Sequence, residues 1–265
     1  STPLYSSAAS DVYKRQVLGF GIVGIAAASS IAFFVASVYA NFIQQRRVNE
    51  FINTPDTVSK ENLKKKFFSV GIIIVIRSAF LTGYMALLSN QASRLSMNDI
   101  ALHHVMNQIW TFGYHFIDAL AIASQTLVSE HISKGKKYLG SDLYKALIKI
   151  TAIFSLVSTA VGFFFIPFLT ELISNQVFMQ IQDNYLRLIF SLTLFFGSYA
   201  FLWDGVLLGL DKNKEFAYTT ITSSSIGALI LFVLIGIFQN INTIWFSLVI
   251  SLVIRALIGG YYQRK

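Results

Sequence analysis

The sequence predicts an all-α fold, a polytopic membrane helix bundle with about seven transmembrane helices. Three observations lead there. Of 265 residues, 21 are Lys or Arg and 13 are Asp or Glu, so 13% are charged, against roughly 25% in a soluble domain. The chain is 54% hydrophobic with a mean hydropathy of +0.59, more apolar surface than one core of this length can hide from water. Apolar stretches close to or above the roughly 20 residues that a spanning helix needs recur along the chain, at about 17-43, 67-89, 99-132, 143-173, 178-210, 215-238 and 242-262. The bilayer is the expected solvent and lipid the expected partner, which excludes a soluble enzyme. A net charge of +8 would suit a nucleic-acid binder. Here, however, the basic residues form short clusters between apolar stretches and no DNA-binding motif accompanies them, so no nucleic-acid partner is expected. With no Cys, disulfide frameworks and thiolate metal sites are excluded.

Residues 1-16, rich in Ser and Ala, show no apolar periodicity and read as a non-native tag or sequence-end artefact. A rival reading makes Lys14 and Arg15 the start of a signal peptide cleaved after Ala40. The first span contains Gly19-Phe20-Gly21-Ile22-Val23-Gly24. This fits a dinucleotide-binding pattern, but without a preceding strand it reads as helix packing. After it, 44-66 carries Arg46, Arg47, Lys60, Lys64, Lys65 and Lys66. The connections after the third and fifth spans carry Lys134, Lys136 and Lys137, then Lys212 and Lys214, and the chain ends in Arg264 and Lys265. Between these, 90-98, 174-182 and 239-242 hold only Arg94. Basic loops alternating with neutral ones place the basic set, and the C-terminus, in the cytoplasm, with residue 17 outside. The expected location is the cell inner (plasma) membrane.

A charge at mid-membrane costs about 2.5–3.5 kcal/mol, so each one needs a partner, water or a task. The second span contains Arg77, the third Asp118 and the fifth Asp204. Counting from the cytoplasmic surface at 1.5 Å per residue, Arg77 lies roughly 15 Å deep and Asp204 roughly 10 Å. They are close enough in depth to pair, as a structural ion pair or as part of a proton- or substrate-linked site. Arg187 and Arg255, nearer their helix ends, are expected to snorkel.

In the third span, His104, Asn107, Thr111, His115, Asp118, Gln125 and Ser129 fall within roughly 80° of a helical wheel, while Leu102, Ile109, Phe116, Leu120 and Leu127 lie opposite. Such a stripe either hydrogen-bonds to neighbouring helices or lines a water-filled cavity. His103 and His104 together read as interfacial. The fourth span holds Pro167, which should kink it at a possible hinge. In the fifth, Asp204 stands beside Gly205-x-x-x-Gly209, a spacing that predicts close helix packing. No P-loop, His-Glu-x-x-His or Gly-x-Ser-x-Gly motif appears, so no enzymatic centre and no cofactor is expected.

The run Trp203-Asp204-Gly205-Val206 with Gly209, the stretch Ile117-Asp118-Ala119 to Ala123-Ser124-Gln125-Thr126-Leu127-Val128-Ser129, and Ile76-Arg77-Ser78 followed by Ala92-Ser93-Arg94-Leu95-Ser96 carry a resemblance. Together they resemble the DinF branch of the multidrug and toxic compound extrusion (MATE) transporters, collinearly from about residue 17 to the end. The resemblance implies a C-terminal half: 17-43 as the last span of a first lobe, 44-66 as the inter-lobe linker and 67-265 as a second six-helix lobe. The first lobe, with the family's coupling acid, would then be a missing partner. The chain departs from the family pattern at Ala119 and Ser129, where glycines are usual, and at Ile73, where an acid is common. In another branch an acid on the second span here helps to hold sodium. The charged residue within that span is Arg77 instead, which favours protons over sodium as the coupling ion.

The expected function is cation-coupled export of small amphipathic, cationic compounds by alternating access. Asp118, Asp204 and Arg77 with Asn107, Thr111, Tyr114, His115 and Gln125 would form the pathway, and Tyr114 and Phe201 would supply apolar or cation-π contact. Two alternatives stand beside it. One is a lipid-linked saccharide flippase of the wider superfamily, which would need several basic residues. The other is a non-transporting membrane scaffold, which would need the stripe sealed in helix contacts.

Overall fold

A computed structural model of the chain describes residues 21–51, 60–135, 140–175 and 178–264. The chain divides into two compact units, Ser1–Leu63 and Lys64–Lys265. In the first, α1 (Gly21–Phe51) is a single 31-residue helix. Gly21 and Gly24 of the dinucleotide-like pattern therefore sit in helical turns, while residues 1-16 and Gly19 lie outside the described residues. Helix α1 ends and α2 begins inside the stretch 44-66 expected as a linker, and residues 52–59 are outside the description.

The second unit contains α2 (Lys60–Ser93) from Lys64 onward, α3 (Met97–Ser133), α4 (Ser141–Ser174), the short α5 (Met179–Gln182), α6 (Asn184–Gly209), α7 (Asn213–Ile237) and α8 (Ile241–Tyr262). Five helices are long and apolar enough to cross a membrane among the described residues: 67–93 of α2, and α4, α6, α7 and α8. Helix α3 is longer than any of them at 37 residues but is not in that set. Asp118 and the polar stripe lower its hydropathy. Its ends are set locally: the backbone N–H of Asp99 donates to Ser96 Oγ at 3.1 Å, and Ser96 Oγ donates to the Asp99 carboxylate at 2.7 Å.

The fifth expected span, 178-210, is not one helix. The backbone leaves the helix at Asp183 (ψ 126°), whose carboxylate accepts from Tyr185 N at 3.0 Å and so starts α6 afresh. Arg187 fixes the turn before it, donating from Nε to Ile181 O at 2.8 Å and from its terminal nitrogen to the Gln182 side chain at 3.1 Å. Helix α4 runs on through Pro167 without a break, and the Thr170 hydroxyl donates to Pro167 O at 2.8 Å.

Helix α6 is the centre of the unit. It packs closely against α3, α4 and α8, while α7 packs on α8. Between helices in lipid there is little hydrophobic drive, so close backbone approach and interhelical bonds must hold the bundle. Small residues allow that approach. A Cβ on Gly205 would stand 2.1 Å from Ala121 O of α3, and one on Gly209 would stand 2.8 Å from Gln125 O. Across the other side of α6, Trp203 seats on α8, where a Cβ on Gly259 would meet Trp203 Cβ at 2.6 Å. The close packing expected of Gly205-x-x-x-Gly209 is therefore observed. Helix α2 shows no such close helix packing among the described residues. It is tied on by side chains, such as Tyr84 Oη to Ser247 Oγ at 3.1 Å and Ser89 Oγ to His103 Nε2 at 3.1 Å.

Candidate functional site

The site grows from the α3–α6 crossing. Gly205 brings the backbones together, and Asp204 beside it turns into the bundle at 4% exposure. An uncompensated carboxylate in that position would be very costly, and two arginines meet it. Arg255 of α8, 3% exposed, forms an ion pair through its terminal nitrogen with Asp204 Oδ2, and its Nε donates to Oδ1 at 3.4 Å. Arg77 of α2 approaches the same Oδ2 at 3.9 Å. Arg77 also donates from Nε to Thr220 Oγ1 at 3.1 Å and lies over the Phe216 ring, 4.0 Å from its centroid. Arg255 in turn sits 4.9 Å from the Phe201 ring centroid.

Arg255 corrects the sequence reading. It does not snorkel: it points into the bundle and is the nearer partner of Asp204. Ten residues from the chain end, it was placed by depth alone. On α8, however, it continues the small polar line Ser247, Ser251, Arg255, Gly259 at four-residue spacing, the face that packs inward. Thr220 and Phe216, which hold Arg77, also went unseen, because an apolar stretch with scattered hydroxyls gives no local signal for which of them meets a charge.

The polar stripe of α3 lies beside this cluster. Asn107, Tyr114, Asp118 and Gln125 are half-buried, and His104, Thr111, His115 and Ser129 are exposed. Hydroxyls on the stripe are used largely within their own helix: Thr111 donates to Asn107 O at 2.7 Å. The exception is Ser129, which reaches Gly209 O at 3.4 Å. Among the described residues the helices of the unit cover the stripe only in part: Ser129 is tied to α6 through Gly209 O, while His104, Thr111 and His115 are exposed. The buried line of α3 runs instead through Leu102, Met106, Ile109, Ile117, Ala121, Ser124 and Val128. Tyr114 joins the stripe to the arginine cluster: it stands edge-on to Phe201 with centroids 4.9 Å apart and stacks on Trp110 at 5.7 Å. The His115 ring lies 5.6 Å from that of Tyr114.

The histidine pair divides. His103, expected at the interface, is buried against Trp245 with ring centroids 5.7 Å apart, because it falls on the inward line next to Leu102. His104 is exposed. Among the described residues no group of three His, Asp or Glu is arranged to hold a metal ion.

The MatE family model matches residues 74–233. The protein DETOXIFICATION 44, chloroplastic, of Arabidopsis thaliana is 24% identical over 274 residues, covering 98% of this chain and 50% of the relative. A multidrug resistance MATE family transporter of the MOP superfamily, solved in an outward-facing conformation, superposes with a TM-score of 0.76 at 17% identity, over 95% of this chain and 57% of that one. A MOP superfamily transporter from Pyrococcus furiosus, solved with a binding pocket of reverse polarity that suggests a different function, gives 0.75 at 19%, over 95% and 57%. At those identities the structural likeness speaks for the fold. The chain spans about half the length of the curated relative it matches.

Proposed function

The chain belongs to the MatE family of multi-pass membrane transporters, and on that premise we propose that it is the C-terminal, DinF-like half of a secondary exporter of amphipathic, cationic compounds. In this reading it lies in the inner (plasma) membrane with its C-terminus in the cytoplasm, and a first lobe completes the transporter. The observation that carries the proposal is the partly exposed polar stripe of α3 with Asp118 half-buried in it. Such a face turned to lipid would leave an acid and several amides without water, at a cost of about 2.5–3.5 kcal/mol for the charge alone. A water-filled cavity between lobes removes that cost and gives the stripe its task.

The chemistry follows from charge. Asp118 can attract a cation at the cavity wall, while Tyr114 offers a ring face for it. Behind them, Asp204 is shared between Arg255 and Arg77, so it is already neutralised when the cavity is empty. A proton or sodium ion arriving at the acids changes how strongly they hold a cationic substrate, which is the differential affinity coupling requires. The place beside Asp204 is taken by guanidinium groups, which leaves no room for sodium there, and the coupling proton in this reading is taken up at Asp118.

The test is export of ethidium from an efflux-deficient host carrying the full-length gene. Wild type, Asp118→Asn and Asp204→Asn are compared under imposed proton and sodium gradients. Loss of gradient-driven export in Asp118→Asn is expected, and unchanged export in both variants would refute the proposed role.

One observation favours a second reading. Two arginines, Arg255 buried and Arg77 half-buried, meet the single carboxylate of Asp204, where the sequence offered only Arg77. Anionic cargo, such as a lipid-linked saccharide, would use that surplus. If a cell lacking the transporter retained anionic lipid-linked cargo on one leaflet while ethidium export was unchanged, this reading would replace the first.

A further inference from the structure

Helix α4 turns two faces to different surroundings. Its inner line, through Leu147, Thr151, Ser155, Gly162, Ile166 and Thr170, is buried, and the helix packs on α3 and α6. On the outer side every exposed residue from Ile150 to Phe168 is apolar, Ile153, Leu156 and Phe164 among them. The next exposed residue is Lys149 at one end of this band and Glu171 at the other. At 1.5 Å per residue the band between those charges is about 30 Å long, the thickness of a bilayer's hydrocarbon core. Lys149 therefore stands at headgroup level, where the apolar face stops.

Lys145 repeats it one turn further out. At 100° per residue Lys145, Lys149, Ile153 and Leu156 fall within an arc of roughly 80°, so both ammonium groups rise from the same strip of helix that the acyl chains cover. Both lysines are exposed, and neither has a hydrogen-bond or ion-pair partner among the described residues. Other lysines at this end of the unit are engaged: Lys134 holds Glu130 at 2.6 Å, and Lys212 donates to Tyr262 O at 3.0 Å. Asp142, in the first turn of α4, shares the face but lies beyond Lys145, away from the apolar band.

Charge selects the occupant. A second copy of the chain packed in parallel on this face would set lysine against lysine, and like charges at such spacing repel. A lipid whose phosphate meets the two ammonium groups, and whose chains lie on Ile153 and Leu156, satisfies both parts of the face. We propose that the outer face of α4 is a binding site for an anionic phospholipid, with its phosphate between Lys145 and Lys149. The site rests on the membrane-spanning character of the family and not on the direction of transport, the cargo or the coupling ion.

Phosphatidylglycerol is the probe, and phosphatidylcholine with the same acyl chains is the neutral-headgroup comparison. Each is titrated into the full-length protein in a non-ionic detergent, and bound lipid is counted by native mass spectrometry. Phosphatidylglycerol should saturate, with an affinity above that of phosphatidylcholine. Lys149→Gln should weaken it about fivefold, the worth of one lysine at an anionic surface, and Lys145→Gln with Lys149→Gln about twenty-five-fold. Lys149→Arg should keep the binding, Asp142→Asn should tighten it, and Lys134→Gln should leave it unchanged. All these side chains are exposed, so size-exclusion should show every variant as monodisperse as wild type. Equal uptake of the two lipids would overturn the proposal, as would an unsaturable series of adducts or a second copy of the chain bound in place of lipid. Binding unaltered in the double variant would also overturn it, and so would an equal loss in Lys134→Gln, which would spread the effect over the whole basic edge.

Discussion

Replacing Gly205 by Ala tests the crossing on which the site is built. The added methyl would lie 2.1 Å from Ala121 O, 2.8 Å from its carbonyl carbon and 3.0 Å from its Cα. A comfortable carbon–oxygen contact is about 3.3 Å, so α3 and α6 must separate by about 1 Å. The atoms in the way are backbone, and no rotamer change can clear them. Overpacking costs typically 1–3 kcal/mol, and the upper end applies where backbone must move. Against this, Ala is the better helix former by about 1 kcal/mol, leaving a net loss of roughly 2 kcal/mol. For a unit of this size that is a fall in Tm of roughly 4–8 °C, read from the loss of the monodisperse peak after heating in detergent. Gly83→Ala is the control, because a Cβ there meets nothing within 4 Å; it should leave Tm unchanged or raise it slightly. If Gly205→Ala melts with Gly83→Ala, the close approach of α3 and α6 is refuted.

Three further outcomes are expected. Arg255→Met strips Asp204 of its nearer partner and should cost about 3–5 kcal/mol, whereas Arg77→Met leaves the Arg255 pair intact and should cost distinctly less; equal losses of Tm would contradict the asymmetric sharing of Asp204. Because the chain has no Cys, single cysteines report cleanly: Asn107→Cys, Thr111→Cys and Ser129→Cys should react with a membrane-impermeant maleimide, while Leu102→Cys and Met106→Cys on the buried line should not. A stripe that stays unlabelled would point to a sealed helix contact. For topology, Lys134→Cys and Lys214→Cys should label only from the cytoplasmic side and Asn175→Cys only from outside, and the reverse pattern would invert the proposed orientation.

The sequence carried the helices further than the site. Gly205 and Gly209 were legible as a contact because glycine at four-residue spacing has one common use in a helix of this kind. The stripe on α3 was legible because 3.6-residue periodicity puts Asn107, Asp118 and Gln125 on one side whatever the neighbours are. Arg255 was not, since its partner lies 51 positions away and its depth in the chain suggested an easier escape to the headgroups. Asp183 was missed for the opposite reason. Its signal is local, a polar Gln182-Asp183-Asn184 run inside an apolar stretch, and the length of the stretch concealed it. His103 shows the limit of residue type alone: a histidine near a helix end reads as surface until its position on the wheel, one step from Leu102, is given weight.

The crossing at Gly205 has a mechanical consequence. Ala121 of α3 rests directly on the backbone of α6, three residues after Asp118 and one after Asp204 in their respective helices. The spacing of the two acids is therefore set by main chain, as by a ruler, and cannot stretch while the crossing is intact. Any cycle that alters their grip on a cation must work through something other than their separation. Arg77 is suited to that, since it reaches Asp204 from α2, the helix that shows no close helix packing among the described residues.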